Sequence, residues 1–421
     1  MTWPDDWIAL LLWVLLGLAV ATTLVALGWW LRFRRLRRSA ERFRLLAPDG
    51  VACPPQRLED LPATGSWAPA TLGDPLPVDA RSWAYEDQPI DWRRSMASLG
   101  TQLRDHRVAE VTLVHGTFVG TDPVALLQAL DRIPGSGLDL RRRLGPMMKA
   151  SAEHLLQDAS NFPASYAALL QAATGVPTSI FHWSSENGHV ARLRAAVRLA
   201  RYLAARTETR PPHARTLLVG HSHAGQIFAL LLQLRDEVAH APQLVAIARE
   251  IGEDGDALME ALAVLRRRRV DVVTMGTPVR YGWTEAAGPQ LLHLVNHRGE
   301  GPTVPDLPRG LQRMLTTADG DYIQLLGIAG SDLPSADPGT RALEDLLDEP
   351  LGPGWAPRAW LEGVRHGRRV PEGGFTWLVD YGDASESGRA NLIQTGLGHA
   401  IYTRRTTMAF WLERAAERYY R

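Results

Sequence analysis

Cysteine and lysine are almost missing from this chain: of its 421 residues, Cys53 is the one cysteine and Lys149 the one lysine. A single cysteine makes no intramolecular disulfide, which fits a reducing compartment and removes any disulfide-stapled class of fold. One lysine beside so many arginines reads as compositional bias and not as function. Net charge is lacking too, with 46 basic and 46 acidic side chains. Set residues 1–44 aside, and the rest carries 39 basic against 43 acidic groups, the opposite of the basic surface a nucleic-acid partner needs. A hydrophobic content of 45% with 22% charged residues excludes wholesale disorder and leaves room for one large domain plus extras. No internal repeat is visible.

Charge is absent altogether from Trp7–Leu31, a run of 25 residues. As a helix at ~1.5 Å per residue it is long enough, with some tilt, for a ~30 Å hydrocarbon core. Trp7 at one end and Trp29 and Trp30 at the other occupy the places of interfacial aromatics. Asp5 and Asp6 precede the run and seven arginines crowd into Arg32–Arg44 after it, the reverse of a signal peptide. The reading is a short tail (1–6), one transmembrane helix (7–31), a basic juxtamembrane segment (32–44) able to meet anionic headgroups, and a body on the cytoplasmic side of a bacterial-type inner membrane. Residues 45–80, rich in Pro, Ala, Asp and Gly, are expected to form a linker with little regular structure. Residues 81–421 are expected to form the globular domain.

Along that domain, short apolar runs alternate with longer helical patterns. Val111–Val114, Thr178–Trp183, Thr216–Val219, Val270–Thr277, Leu291–Val295, Ile323–Ile328 and Phe375–Val379 read as strands. Val190–Ala205, Ile227–Leu234, Leu244–Arg269 (interrupted near Gly252–Gly255) and Thr406–Tyr420 read as helices, and Asp122–Thr174 is mostly helical in character. The alternation predicts an α/β fold, a mostly parallel sheet with helices on both faces.

Within it stands Leu217–Gln226, LLVGHSHAGQ: a buried-strand pattern, Ser222 among small residues, then a helical pattern. A strand that turns into a helix within two or three residues tolerates only small side chains there, so Gly220, Ala224 and Gly225 point to a tight elbow that holds the Ser222 hydroxyl clear of the sheet. Serine is a poor nucleophile at neutral pH and needs a base, oriented in turn by an acid. His399 follows a glycine in a turn-like stretch after the last predicted strand. His221 and His223, adjacent to the serine, have side chains that diverge from it in a tight turn.

VTLVHGT, LLVGHSHAG, VVTMGTP and the late Gly398-His399, in that order, resemble the α/β-hydrolase superfamily over residues 108–421. The resemblance implies the α/β-hydrolase fold and a lipase- or esterase-like serine hydrolase in which Ser222 attacks an ester carbonyl and His399 is the base. It favours Asp332, at the end of IQLLGIAGSD, as the acid, with Asp380 and Asp383 as rivals. It implies an oxyanion hole from the N–H groups of His223 and Thr117. Trp183, at the end of the strand before the nucleophile strand, is placed where ligands bind in open α/β sheets and with Phe118 is a candidate to line the substrate site; packing in the core is the alternative for Trp183. No metal or cofactor is expected. The membrane anchor points to a lipid or other acyl-ester substrate held near the bilayer. Thioester or amide cleavage and acyl transfer suit the same triad, and a non-catalytic scaffold of this fold, binding a membrane partner, is the alternative of another kind. That last reading predicts no carboxylate at a His399 ring nitrogen.

Overall fold

The computed structural model describes residues 66–73, 77–79, 82–116, 162–299, 301, 316–327, 332, 335, 337–354, 367–382 and 398–421, all within one compact unit, Val51–Arg421. The predicted span Trp7–Leu31 and the basic segment after it lie outside the described residues. No helix among those described is long and apolar enough to cross a membrane.

Seven strands form one sheet. They are β1 (Ser66–Thr71), β2 (Val108–Val114), β3 (Thr178–Phe181), β4 (Arg215–His221), β5 (Arg269–Met275), β6 (Leu291–Asn296) and β7 (Phe375–Asp380). Their spatial order is β1-β7-β6-β5-β4-β2-β3, and every neighbouring pair is parallel. Helices cover both faces, as the alternation predicted. Strand periodicity sorts the core between them: Leu217, Val219, Val273 and Met275 belong to one apolar cluster, while Leu218, Val270 and Val272, one residue out of phase, belong to another. Against the first face pack α1 (Ile90–Asp105), α2 (Ala164–Thr174) and α9 (Arg405–Tyr419). Against the second lie α3 (His189–Glu208), α4 (Ala224–Arg235), α5 (Ala241–Glu250) and α6 (Gly255–Arg266).

Two segments depart from the sequence expectation. The stretch 45–80 contains β1, which pairs along its whole length with β7. Pro69 sits in that strand, and an edge position tolerates a residue with no N–H to give to a ladder; its composition hid a strand that has only one neighbour. The second departure is Ile323–Ile328, read as a strand. Tyr322–Leu326 is instead a short helix, α7, capped by Asp321, whose carboxylate accepts the Gln324 N–H at 2.8 Å. A later helix, α8 (Pro338–Leu351), lies against α3.

From β2 the chain steps outward to β3, crosses back over β2 to β4, and then proceeds through β5, β6 and β7 in the other direction. The order therefore reverses between β2 and β4. Open parallel sheets bind ligands at the carboxyl ends of the strands beside such a reversal.

Candidate active site

Ser222 stands at that point, one residue past β4. Its φ is +58°, a left-handed conformation that costs a non-glycine residue on the order of 1–3 kcal/mol and persists only where its surroundings enforce it. Here they do: the Ser222 N–H donates to Met275 O at 2.8 Å, and the Thr277 hydroxyl donates to Ser222 O at 2.9 Å. The small residues have the steric role expected of them. A Cβ on Gly220 would strike the Phe228 ring, and one on Gly225 would strike the Thr277 side chain. Ala224, where a glycine is usual, is fully buried with its methyl group accommodated. From β2, Gly116 comes so close that a Cβ there would lie 2.7 Å from Ser222 Cβ.

His399 lies in the turn after β7 and before α9. Its Nδ1 is 2.7 Å from Asp321 Oδ2. An ionised carboxylate only accepts, so the proton of this bond is on Nδ1, which in the neutral ring leaves the lone pair to Nε2. That Nε2 is buried and has no hydrogen-bond partner among the described residues, so it is not bonded to Ser222 Oγ here; such bonds often close only when substrate is present. His221 lies against His399. Its Nε2 meets the His399 carbonyl oxygen at 3.0 Å, and the two rings are 4.5 Å apart.

Asp321 is the residue the sequence reading missed. It follows β6, where its N–H donates to Asn296 O at 3.0 Å. One oxygen caps α7; the other accepts from His399 and, at 2.8 Å, from the Tyr402 hydroxyl. Burial pushes this carboxyl up, but the charge and hydrogen bond of His399, then Arg369 and the Gln324 N–H, more than reverse that and hold it below its ordinary value. A sequence signal existed in Asp321-x-x-Gln324, an acceptor three residues ahead of a glutamine at the head of an apolar run, which is a helix-start pattern.

Asp332, the expected acid, is elsewhere. Arg280 grips both its oxygens, one of them at 2.8 Å, and Arg192 binds one of them as well. Burial alone would raise its carboxyl; Arg192 and then Arg280 hold it far below the usual range. The run before Asp332 is expected as a strand; its first part, Tyr322–Leu326, is helix α7, and the carboxylate that meets His399 stands at the start of that helix. Asp380 is partly exposed and bonds Arg298 at 2.8 Å. Asp383 lies outside the described residues.

Thr117 and Phe118 also lie outside them, although the turn that leads to Thr117 is described. Trp183 is buried, and its indole N–H donates to His115 O at 2.8 Å. Ser185 donates to Gly116 O at 3.1 Å. Both therefore brace the His115-Gly116 segment that leaves β2. His223 begins the first turn of α4, where backbone N–H groups have no intrahelical acceptor. Its side chain is buried, with Nε2 unpartnered among the described residues, and burial first, then Arg192, pushes the imidazole pKa well below its ordinary value.

No family model, curated protein or solved structure matches the chain.

Among the described residues, one group, His189, Asp332 and Glu344, has the spacing of metal ligands. Its chemistry does not fit a cation. Two guanidiniums occupy Asp332, and the Glu344 oxygens accept the N–H groups of His189 and Val190 at 2.7 and 3.0 Å at the head of α3. It is an ion-pair network that ties α8 and the Asp332 segment to α3.

Proposed function

We propose that the chain is a serine hydrolase of the α/β-hydrolase kind, tethered to a membrane by Trp7–Leu31 and cleaving carboxylic esters of a lipid or lipid-like substrate. One observation carries the catalytic part: a buried carboxylate, Asp321, meets Nδ1 of His399 on the loops beside a serine held at positive φ. The chain order Ser, Asp, His and the parallel sheet beneath agree with it. The scaffold reading required His399 to lack a carboxylate, so the contact counts against it.

In this proposal Ser222 Oγ attacks the ester carbonyl while His399 Nε2 takes its proton. Asp321 stabilises the imidazolium and fixes the tautomer without becoming protonated. The tetrahedral oxyanion is held by the N–H groups of His223 and Thr117, each worth roughly 3–4 kcal/mol where such donors have been removed. His399 then protonates the departing alcohol, and water cleaves the acyl-enzyme by the same route reversed. The tether, basic segment and cytoplasmic placement rest on the sequence pattern alone.

Full-length protein in detergent micelles is expected to react with a fluorophosphonate probe and to hydrolyse a short acyl ester, with Ser222→Ala and His399→Ala silent in both. Equal labelling of wild type and Ser222→Ala would sink the assignment. A panel of esters, thioesters and amides ranks the substrate classes. Proteolysis of inverted and right-side-out vesicles reports on which side the body lies.

A further inference from the structure

Tyr402 is three residues beyond His399 in the same turn, and its hydroxyl reaches the same oxygen of Asp321 that His399 uses, at 2.8 Å against 2.7 Å. Its direction is fixed. The Asn296 N–H donates into the hydroxyl oxygen at 2.7 Å, which uses its accepting side and leaves its proton to Asp321. The ring has no freedom to turn away: it is buried, edge-on to His399 at 6.1 Å and edge-on to Tyr381 at 5.4 Å, with His221 at 5.7 Å. The end of β5 is shaped for the contact as well. A Cβ on Gly276 would lie 2.5 Å from the Tyr402 ring and 2.8 Å from Asp321 Oδ2.

We propose that Tyr402 is a positioning residue of the triad, whose hydroxyl sets how strongly Asp321 attracts the proton on His399 and thereby the pH at which Ser222 is activated. The inference rests on the serine-hydrolase reading above. A donor on Oδ2 draws charge from the oxygen facing Nδ1, so the imidazolium is less stabilised and the neutral base persists to lower pH. Burial, then the Asp321 charge, raises the phenol well above its ordinary range, so it remains a donor at any working pH. The other groups facing this unit are Arg369, which binds the Asp321 backbone oxygen, together with His221, His223 and Tyr381. Of these Arg369 bears the fixed charge, and it is the same in every variant below.

The test is the pH dependence of fluorophosphonate labelling of the full-length protein. Tyr402→Phe removes the donor, and the acid limb is expected to move to higher pH, so that the rate at the foot of the limb, relative to its plateau, falls about threefold, as a half-unit displacement gives. The variant also leaves the Asn296 N–H without a partner and stands to lose stability. For that reason 3-fluorotyrosine at position 402 is the companion: it keeps both hydrogen bonds, donates more strongly, and is expected to move the limb the opposite way. Limbs that coincide with wild type in the fluorotyrosine protein, and in Tyr402→Phe where it folds, overturn the proposal and leave Tyr402 a packing residue. Labelling that survives Ser222→Ala overturns the hydrolase reading itself, and that result is independent of where any limb lies.

Discussion

Two buried aspartates near the carboxyl edge of the sheet have opposite neighbours, and their neighbours decide what each is for. Asp321 faces an imidazole and a phenol; Asp332 faces two guanidiniums. Asparagine at 321 still caps α7, since asparagine is as good an N-cap as aspartate, but it no longer holds the tautomer of His399. Asp321→Asn is therefore expected to lower the labelling rate and kcat/KM about 10⁴-fold with little change in melting temperature. Asp332→Asn should do the reverse. It leaves two buried cations without their partner, a loss of about 3–5 kcal/mol in urea unfolding, while the Ser222 chemistry remains. The pH sign follows: a carboxyl held below its unfolded value contributes stability above about pH 4 that disappears as acid protonates it. In Asp332→Asn the fall in urea midpoint below that pH should be shallower than in wild type. Neither role was legible in the sequence, because burial and partner are properties of the folded neighbourhood. The serine needed no such help, since Gly220, Ala224 and Gly225 announce a tight turn by their size alone.

At the scale of elements, legibility followed the number of neighbours a segment has. Among strands buried between two others, β4, β5, β6 and β7 are mainly apolar runs whose expected bounds agree with the observed ones within a residue or two, while β2 starts three residues earlier than expected. The elements misread in kind are short or at an edge. Helix α7, Tyr322–Leu326, is little more than one turn, too brief for a 3.6-residue period to separate from a strand. β1 carries a proline and has one partner, so nothing in its pattern marks it as part of a sheet. Yet it has structural weight: Trp67 packs with Val295, Val370 and Leu378, and Ser66 donates to Gly374 O at 2.9 Å. A chain starting at Pro77 is thus expected to melt at lower temperature, and to aggregate more through the bared edge of β7, than one starting at Asp60. Thermal unfolding with light scattering compares them. In the elbow, Gly225→Ala drives a methyl group into Thr277 and should cost about 1–3 kcal/mol by urea titration, displacing the hydroxyl that holds Ser222 O.

Over the molecule as described, buried histidines add a second acid-sensitive set. Burial lowers His223, His240, His293 and His297, the last two to about 4. The folded protein keeps these rings neutral, whereas the unfolded chain protonates them near pH 6.5. Their contribution is complete above that value and is lost as the pH falls toward about 4, so the urea midpoint should decline over this window, before the carboxylates titrate. Replacing His293 by Gln should flatten that part of the curve.

The pairing of β1 with β7 joins Ser66 to Phe375, nearly the whole length of the body. At about 5–20 residues per second, a ribosome takes roughly 15–60 s to make the chain between them. Throughout that time the first strand has no partner, and the elbow strand and its neighbours are complete before that partner is made. Assembly of the sheet must therefore finish at its oldest strand, which waits for one of the newest to arrive.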